Sequence, residues 1–269
     1  MEKHVYEAIK GSLGKYQSSS MNYIVYEDVA GYEALHLDER LVLLAGQEGG
    51  CNKFHWAASE PAELLDAILK TGVKGAVSFV PPGWVAEFQK RGFEVCGKFN
   101  DYFHNDIARV PEPAEPAELL GDKDCGEAAD VTAACRGQSR KFEGETEEWM
   151  RMWISGTEPY AMDIGAKDCA VIIRRVCGKI AGIACVGIYE HASEKGEVLW
   201  LREIAVRPEF QHRGIATQLI GQALYYGRER GARRAFLMAD EMNDTAIRLY
   251  QRAGFECNSD DGQIDMILR

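Results

Sequence analysis

The chain has 269 residues, 46% of them hydrophobic, and a formal net charge of −11. That length suffices for one large core or two modest ones, and the acidic balance argues against nucleic acid or an anionic membrane surface as partner while suiting a cationic small molecule. The N-terminus lacks the apolar core of a signal peptide, and the longest apolar run, Ile180–Tyr189, is too short to span a bilayer, so a cytoplasmic location is expected.

In chain order, LVLLA at Leu41–Ala45 predicts a strand. Ser59 as cap and Pro61 in the first turn predict a helix over Glu60–Lys70, with Leu64, Leu65, Ile68 and Leu69 on its buried stripe. A strand over Ala76–Val80, a helix over Trp84–Lys90 and a strand from Phe93 follow, with Gly92 closing the helix. The segment Val110–Glu118, VPEPAEPAE, is proline-rich and reads as an extended linker at 111–117 between domains 1–110 and 118–269. Beyond it come helices at Glu127–Cys135 and Thr146–Ile154. Strands at Cys169–Val176 and Lys179–Tyr189 meet in a hairpin turn at Gly178. A strand at Val198–Val206 leads to a long amphipathic helix, Gly214–Arg230, which Gly231 stops. A strand at Arg234–Ala239, a helix at Thr245–Arg252 and a closing strand at Ile264–Leu268 complete the series. The class is α/β, with helices on a mixed sheet. The cysteines form no C-x-x-C and the histidines no H-E-x-x-H, so structural thiols and no metal site are expected.

The chemistry is concentrated in LREIAVRPEFQHRGIATQLI, residues 201–220. A strand ends at Val206 and Pro208, and a polar loop delivers Gln211, His212, Arg213, Gly214, Ile215 and Ala216 to a helix start. The first amides of a helix lack internal acceptors and carry partial positive charge. Gly214 and Ala216 let an anion approach the backbone, and His212 and Arg213 add donors, so the loop reads as a pyrophosphate cradle.

This segment resembles the acetyl-coenzyme A signature of the GNAT superfamily of N-acetyltransferases, Q/R-x-x-G-x-G/A, with Gln211, Gly214 and Ala216 in the defined places. The context matches too: a strand ending V-x-P before it, an amphipathic helix after it, then a strand, Asn243, a helix with Tyr250, and Gly254-Phe255. The resemblance covers roughly residues 120–269 and implies a set of roles. Backbone groups of Ile204, Ala205 and Val206 would run beside the pantetheine arm, with the Val206 N–H donating to the thioester carbonyl. Amides from Gln211 to Thr217 would hold the pyrophosphate, and Asn243 would hydrogen-bond the arm. Glu203 would act through water as general base on an ammonium whose pKa is about 10.4, and Tyr250 as general acid to a thiolate whose pKa is about 8.5. The implied reaction is direct transfer of acetyl from acetyl-CoA to a primary amine in a ternary complex. A CoA-binding sensor without turnover and a transferase of another acyl group stay open. So does the acceptor: a small amine, antibiotic, polyamine, amino acid or protein N-terminus. Glu143, Glu145, Glu147 and Glu148, in FEGETEEW, are candidates for recruiting a cationic acceptor, against the plainer reading of a solvated helix face.

The phrase EFQKRGFEV at 87–95 echoes LYQRAGFEC at 249–257, with Phe88 opposite Tyr250. The first half lacks the Q/R-x-x-G-x-G/A loop and keeps the order strand, helix, strand, helix, Gly-Phe, strand. It is therefore expected to be a degenerate second module that holds no coenzyme, serving to cover the acceptor site, form a lid or make homodimer contacts.

Overall fold

A computed structural model describes residues 1–140, 142–189 and 196–269, and the side chains of all of these but 259–261. The chain forms two compact units: Met1–Phe99 with Gly262–Arg269, and Asn100–Asp261.

The first unit opens with elements that no periodicity in the sequence announces: α1 (Lys3–Ser12), β1 (Ser18–Ser19), α2 (Tyr26–Val29) and β2 (Glu33–Leu37). Next come β3 (Leu41–Glu48), β4 (Cys51–Ala58), α3 (Pro61–Lys70), β5 (Ala76–Val77), α4 (Val85–Lys90) and β6 (Phe93–His104). β2, β3 and β4 form an antiparallel meander, and β5 pairs parallel with β4. β3 is buried on both faces: Leu41 and Leu43 join the core under α3 and α4, Val42 and Leu44 the core under α1. This explains its uninterrupted apolar run. β4 escapes a pattern search because it starts partly exposed, CNK, and ends buried, FHWAA, so neither alternation nor a continuous run marks it. It carries His55, 2% exposed, whose ring lies 5.4 Å from that of Tyr32. The cap of α3 is Glu60, which makes no side-chain cap bond, rather than Ser59; the Ser59 amide instead donates to the Arg40 carbonyl. β5 stops at Val77 because Phe79 turns into the left-handed region, φ 60°. The edge of β5 is covered by Met266 and Ile267, antiparallel to Val77 and Ala76.

The second unit contains β7 (Glu118–Leu119), α5 (Cys125–Ala133), α6 (Glu147–Ser155), α7 (Pro159–Asp163), β8 (Lys167–Val176), β9 (Lys179–Tyr189) and β10 (Val198–Val206). α8 (Ile215–Glu229), β11 (Arg234–Asp240), α9 (Asp244–Arg252) and β12 (Glu256–Leu268) follow. β8 to β10 form an antiparallel meander, β7 pairs antiparallel with β8, and β11 pairs parallel with β10. The β8–β9 turn is at Cys177 and Gly178, both with positive φ, as a tight hairpin requires. One core lies between the sheet and α8 and α9, another between the sheet and α5 and α6. No described helix is long and apolar enough to cross a membrane.

The units divide differently from the boundaries expected from the sequence. The proline-rich segment lies inside the second unit, where Gln222 on α8 donates to the carbonyls of Glu115 and Pro116 and Arg228 to that of Val110. The division falls instead within β6 and β12, so each of these strands belongs in part to each unit. The closing strand at Ile264–Leu268 is the far end of β12 and is counted with the first unit.

Candidate active site

β10 and β11 pair only over Val198–Trp200 and Arg234–Phe236, whereas β10 stays paired with β9 as far as Val206 and Gly182. The second half of β10 is therefore unpaired on the β11 side, and a gap opens there. The Arg207 N–H donates to Ala181 of β9. By strand alternation, the N–H and C=O groups of Val206 and Ile204 then face the gap. Ala205 faces β9 with its backbone, so of the three residues expected beside the coenzyme, two present backbone polar groups to the gap. The Val206 carbonyl accepts from the Gln211 side chain at 2.9 Å and from Cys135 Sγ at 3.2 Å, and its N–H is left to the open side.

The loop after β10 bends at His212, φ 59°, and at Gly214, φ 80°, the residue that caps α8. A Cβ at Gly214 would meet nothing within 4 Å, so its backbone angle is what favours glycine there. The first internal bond of α8 runs from Gln218 to Gly214, which leaves the amides of Ile215, Ala216 and Thr217 without a helical acceptor. The Gln211 amide differs from expectation: it donates to Pro208 at 3.3 Å. The Gln211 side chain also reaches Gln138 at 3.2 Å, so this residue ties the loop to its surroundings. Arg213 donates to the Glu209 carbonyl and lies over the Phe210 ring, while the His212 side chain is exposed.

Asn243 caps α9, its side-chain oxygen accepting from the Ala246 amide at 3.1 Å. Its amide nitrogen is the group available for the role expected from the sequence. Just before it, Asp240 is 3% exposed and accepts from Ser139 and from the backbone and guanidinium of Arg140. Burial alone would raise the Asp240 pKa; the bonds from Arg140 and Met242 outweigh it and hold the carboxyl below its ordinary value. The segment 135–140 thus contacts β10 through Cys135 and the end of β11 through Arg140.

Glu203 and Tyr250 are brought to the same gap. Tyr250 is buried and Glu203 largely enclosed, and Tyr250 feels the carboxylate: burial first, then the charge of Glu203, push the Tyr250 hydroxyl well above its ordinary range. Burial is also the main cause that pushes Glu203 up to about 7, with Glu145 adding to it and Arg202 opposing it. The ring of Tyr250 rests among Tyr102 and Phe255.

Arg202 is a neighbour of Glu203 for which the sequence motif implies no role. In a regular strand, residues 202 and 203 would point to opposite faces. The register shift between Leu201 and Glu203 inserts Arg202 as an extra residue, and this bulge turns its side chain to the side of Glu203. Arg202 pairs with Glu203 and, at 3.3 Å, with Glu145. Its guanidinium lies 5.4 Å from the Trp149 ring and 5.6 Å from that of Trp200, within cation–π range.

Of the four glutamates in 142–149, only Glu145 turns inward. Glu143 pairs with Arg136 and Glu147 with Arg151, and Glu148 is exposed. Gly144 makes this geometry available: φ is 84°, and a Cβ would sit 2.8 Å from the Ala133 nitrogen. The Thr132 hydroxyl, fully buried on α5, then accepts from the Glu145 amide at 2.8 Å. Thr146 caps α6 by accepting from Trp149, which seats that ring beside Arg202. Gly144 followed by a lone inward glutamate is a signal that spacing alone could not separate from a solvated helix face.

The model of the acetyltransferase (GNAT) family matches residues 137–255. An uncharacterized N-acetyltransferase of Methanocaldococcus jannaschii is 43% identical over 82 residues, a stretch that covers 30% of this chain and 36% of that protein. Two solved structures share the fold over nearly the whole chain. A GCN5-related N-acetyltransferase from Sphaerobacter thermophilus has a TM-score of 0.58 at 16% identity, over 97% of this chain and 88% of its own. An acetyltransferase from Colwellia psychrerythraea has a TM-score of 0.59 at 13% identity, over 99% and 97%.

Proposed function

On the match of residues 137–255 to the acetyltransferase (GNAT) family, we propose that the chain moves the acetyl group of acetyl-CoA to a primary amine by direct attack in a ternary complex. The observation that carries this reading is the gap beside β10, where the Val206 N–H, Glu203 and Tyr250 converge and the amides of Ile215, Ala216 and Thr217 lack helical acceptors nearby.

The roles follow from the chemistry of each group. Acetyl-CoA supplies the activated acyl group, its pyrophosphate held by the amides at the start of α8 and its arm by Ile204, Val206 and Asn243. Glu203, through water, takes the proton that an ammonium must lose before it attacks. A carboxyl with a pKa of about 7 is well matched to that task near neutral pH. The Val206 N–H stabilises negative charge on the thioester oxygen, an interaction that matters most when that charge develops. Tyr250 keeps its proton throughout the working range and supplies it to the departing sulfur.

The first unit reads as a second module that has lost the coenzyme site. It repeats the order of the second: an antiparallel meander, a parallel crossover, and a splay after Phe54 and Val77. There the splay is filled. Trp56 is fully buried, and its indole N–H donates to the Ser78 carbonyl at 3.0 Å. The helix that follows starts with Pro61, which has no amide hydrogen, and Glu63, which repels an anion.

A thiol-release assay with acetyl-CoA against a panel of amines tests the reaction. Tyr250→Phe should lower kcat about tenfold or more with little change in coenzyme binding. Glu203→Gln should abolish the rise in kcat/KM through about pH 7 that ionisation of the base produces. Coenzyme binding without release on any amine would favour a sensor, and unchanged turnover in both variants would remove these two residues from the mechanism.

A further inference from the structure

Glu203 lies within a cluster larger than a base needs. Arg202 stands between it and Glu145, and the side chains are 12%, 30% and 19% exposed for Glu203, Arg202 and Glu145. Two tryptophan faces flank the guanidinium. One cation thus serves two half-enclosed carboxylates, so any change in how it is shared alters the charge felt by each. We propose that Arg202 and Glu145 act together as positioning residues that set the proton affinity of Glu203, Arg202 by stabilising its charge and Glu145 by repelling it and competing for the same guanidinium. The proposal rests on the reading of Glu203 as general base, and it explains why the bulge at 201–203 and the tight approach at Gly144 both turn a charged side chain inward.

The other groups facing Glu203 do not take over this role. Cys185, opposite it on β9, is fully buried and its thiol is pushed up by burial and then by Glu203 itself, so it stays neutral. Tyr250, from α9, is likewise held neutral. Glu158, ahead of α7, acts on Glu145 and Arg202, raising the pKa of both. Glu145 is itself raised, by burial first, with Arg202 opposing. The arrangement therefore carries two opposing influences on one acid, and each can be removed separately.

The test follows Glu203 directly, in the intact chain, by carbon NMR with glutamate labelled at the side-chain carboxyl. The Glu203 signal is the one lost in Glu203→Gln. Arg202→Met keeps an apolar stem against Trp149 and Trp200 and should raise the midpoint; Glu145→Gln should lower it; each shift should be about one pH unit. Arg202→Lys keeps the charge without the two-pronged contact and should give a smaller rise. If Arg202→Met fails to fold, as thermal melting would report, Arg202→Lys and Glu145→Gln carry the comparison. Opposed shifts support the proposal, and any other pattern overturns it. Because the titration needs no acceptor, a chain that transfers acetyl to no amine would defeat the transferase reading and leave this result legible. An active enzyme whose acid limb and NMR midpoint ignore both substitutions would defeat only the positioning role.

Discussion

His55 makes the stability of the first unit sensitive to acid. Burial, and then the Lys53 charge, lower its pKa to about 3, so the folded chain keeps the ring neutral where the unfolded chain protonates it at about 6.5. A depressed histidine contributes stability that is fully present above the unfolded value and is lost as pH falls from there towards the folded one. The expected slope is about 1.4 kcal/mol per pH unit for one proton. Carboxylates add their own slope, so the measurement is the difference in denaturant stability between the native chain and His55→Gln, which should narrow steadily on acidification from pH 6.5. A constant difference would contradict the assignment. Glu203 has the opposite sign. Its raised pKa favours the folded state at low pH, and that contribution is lost as pH rises towards about 7. At this scale the sequence is a partial guide. Glu203, Tyr250 and the residues from 211 to 217 can be named from their order along the chain. The inward turn of Arg202 cannot, because it depends on a bulge that only pairing with β9 creates. Nor can the burial of His55, set by strands on either side of it.

Among the elements, α8 follows the loop that bends at His212 and Gly214 and carries two glycines with opposite meanings. A Cβ on Gly227 would lie 2.9 Å from Leu199 Cβ, so the bare backbone is what lets α8 settle on β10 there. Gly221 meets nothing within 4 Å. Gly227→Ala should therefore cost about 1–3 kcal/mol through overpacking, while Gly221→Ala should add about 0.5–1 kcal/mol by restricting the unfolded chain. Thermal melts of the two variants check both signs; equal effects would mean that the helix can shift on the sheet. The helix itself is legible in the amino-acid pattern, since its apolar stripe is long and Gly231 ends it. The β8–β9 hairpin is legible from Gly178. β4 is hidden because its burial changes along its length, and α7 because five residues carry too little periodicity. Local patterns identify an element whose environment is uniform, and they fail where one strand passes from solvent to core.

For the whole molecule, the decisive fact is the membership of the two units. Gly262–Arg269 is counted with residues 1–99, and residues 100–111 with the second unit. The late segment is well anchored: Asp265 is fully buried and accepts from the Phe79 amide, Ile264 accepts from Val80, and the Leu268 amide donates to Gly75. Conversely, Tyr102 and Ile107 are buried in the core under α8 and α9. Cutting the gene at the proline-rich segment should thus yield two fragments that both fail. Residues 1–110 would leave the edge of β5 uncovered and Met266 missing from their core, and residues 118–269 would lack Tyr102 and Ile107. Circular dichroism and size-exclusion chromatography of the separate and co-expressed fragments check this; a stable, monomeric 1–110 would refute it. The same membership imposes an order on biosynthesis. A ribosome adding about 5–20 residues per second needs roughly 10–30 s after Phe99 to reach Gly262, and for that time the first-made half is a sheet with an open edge. Its last stitch is translated only after the whole of 100–261, so the first-made half cannot close until the chain of the second unit has been synthesised.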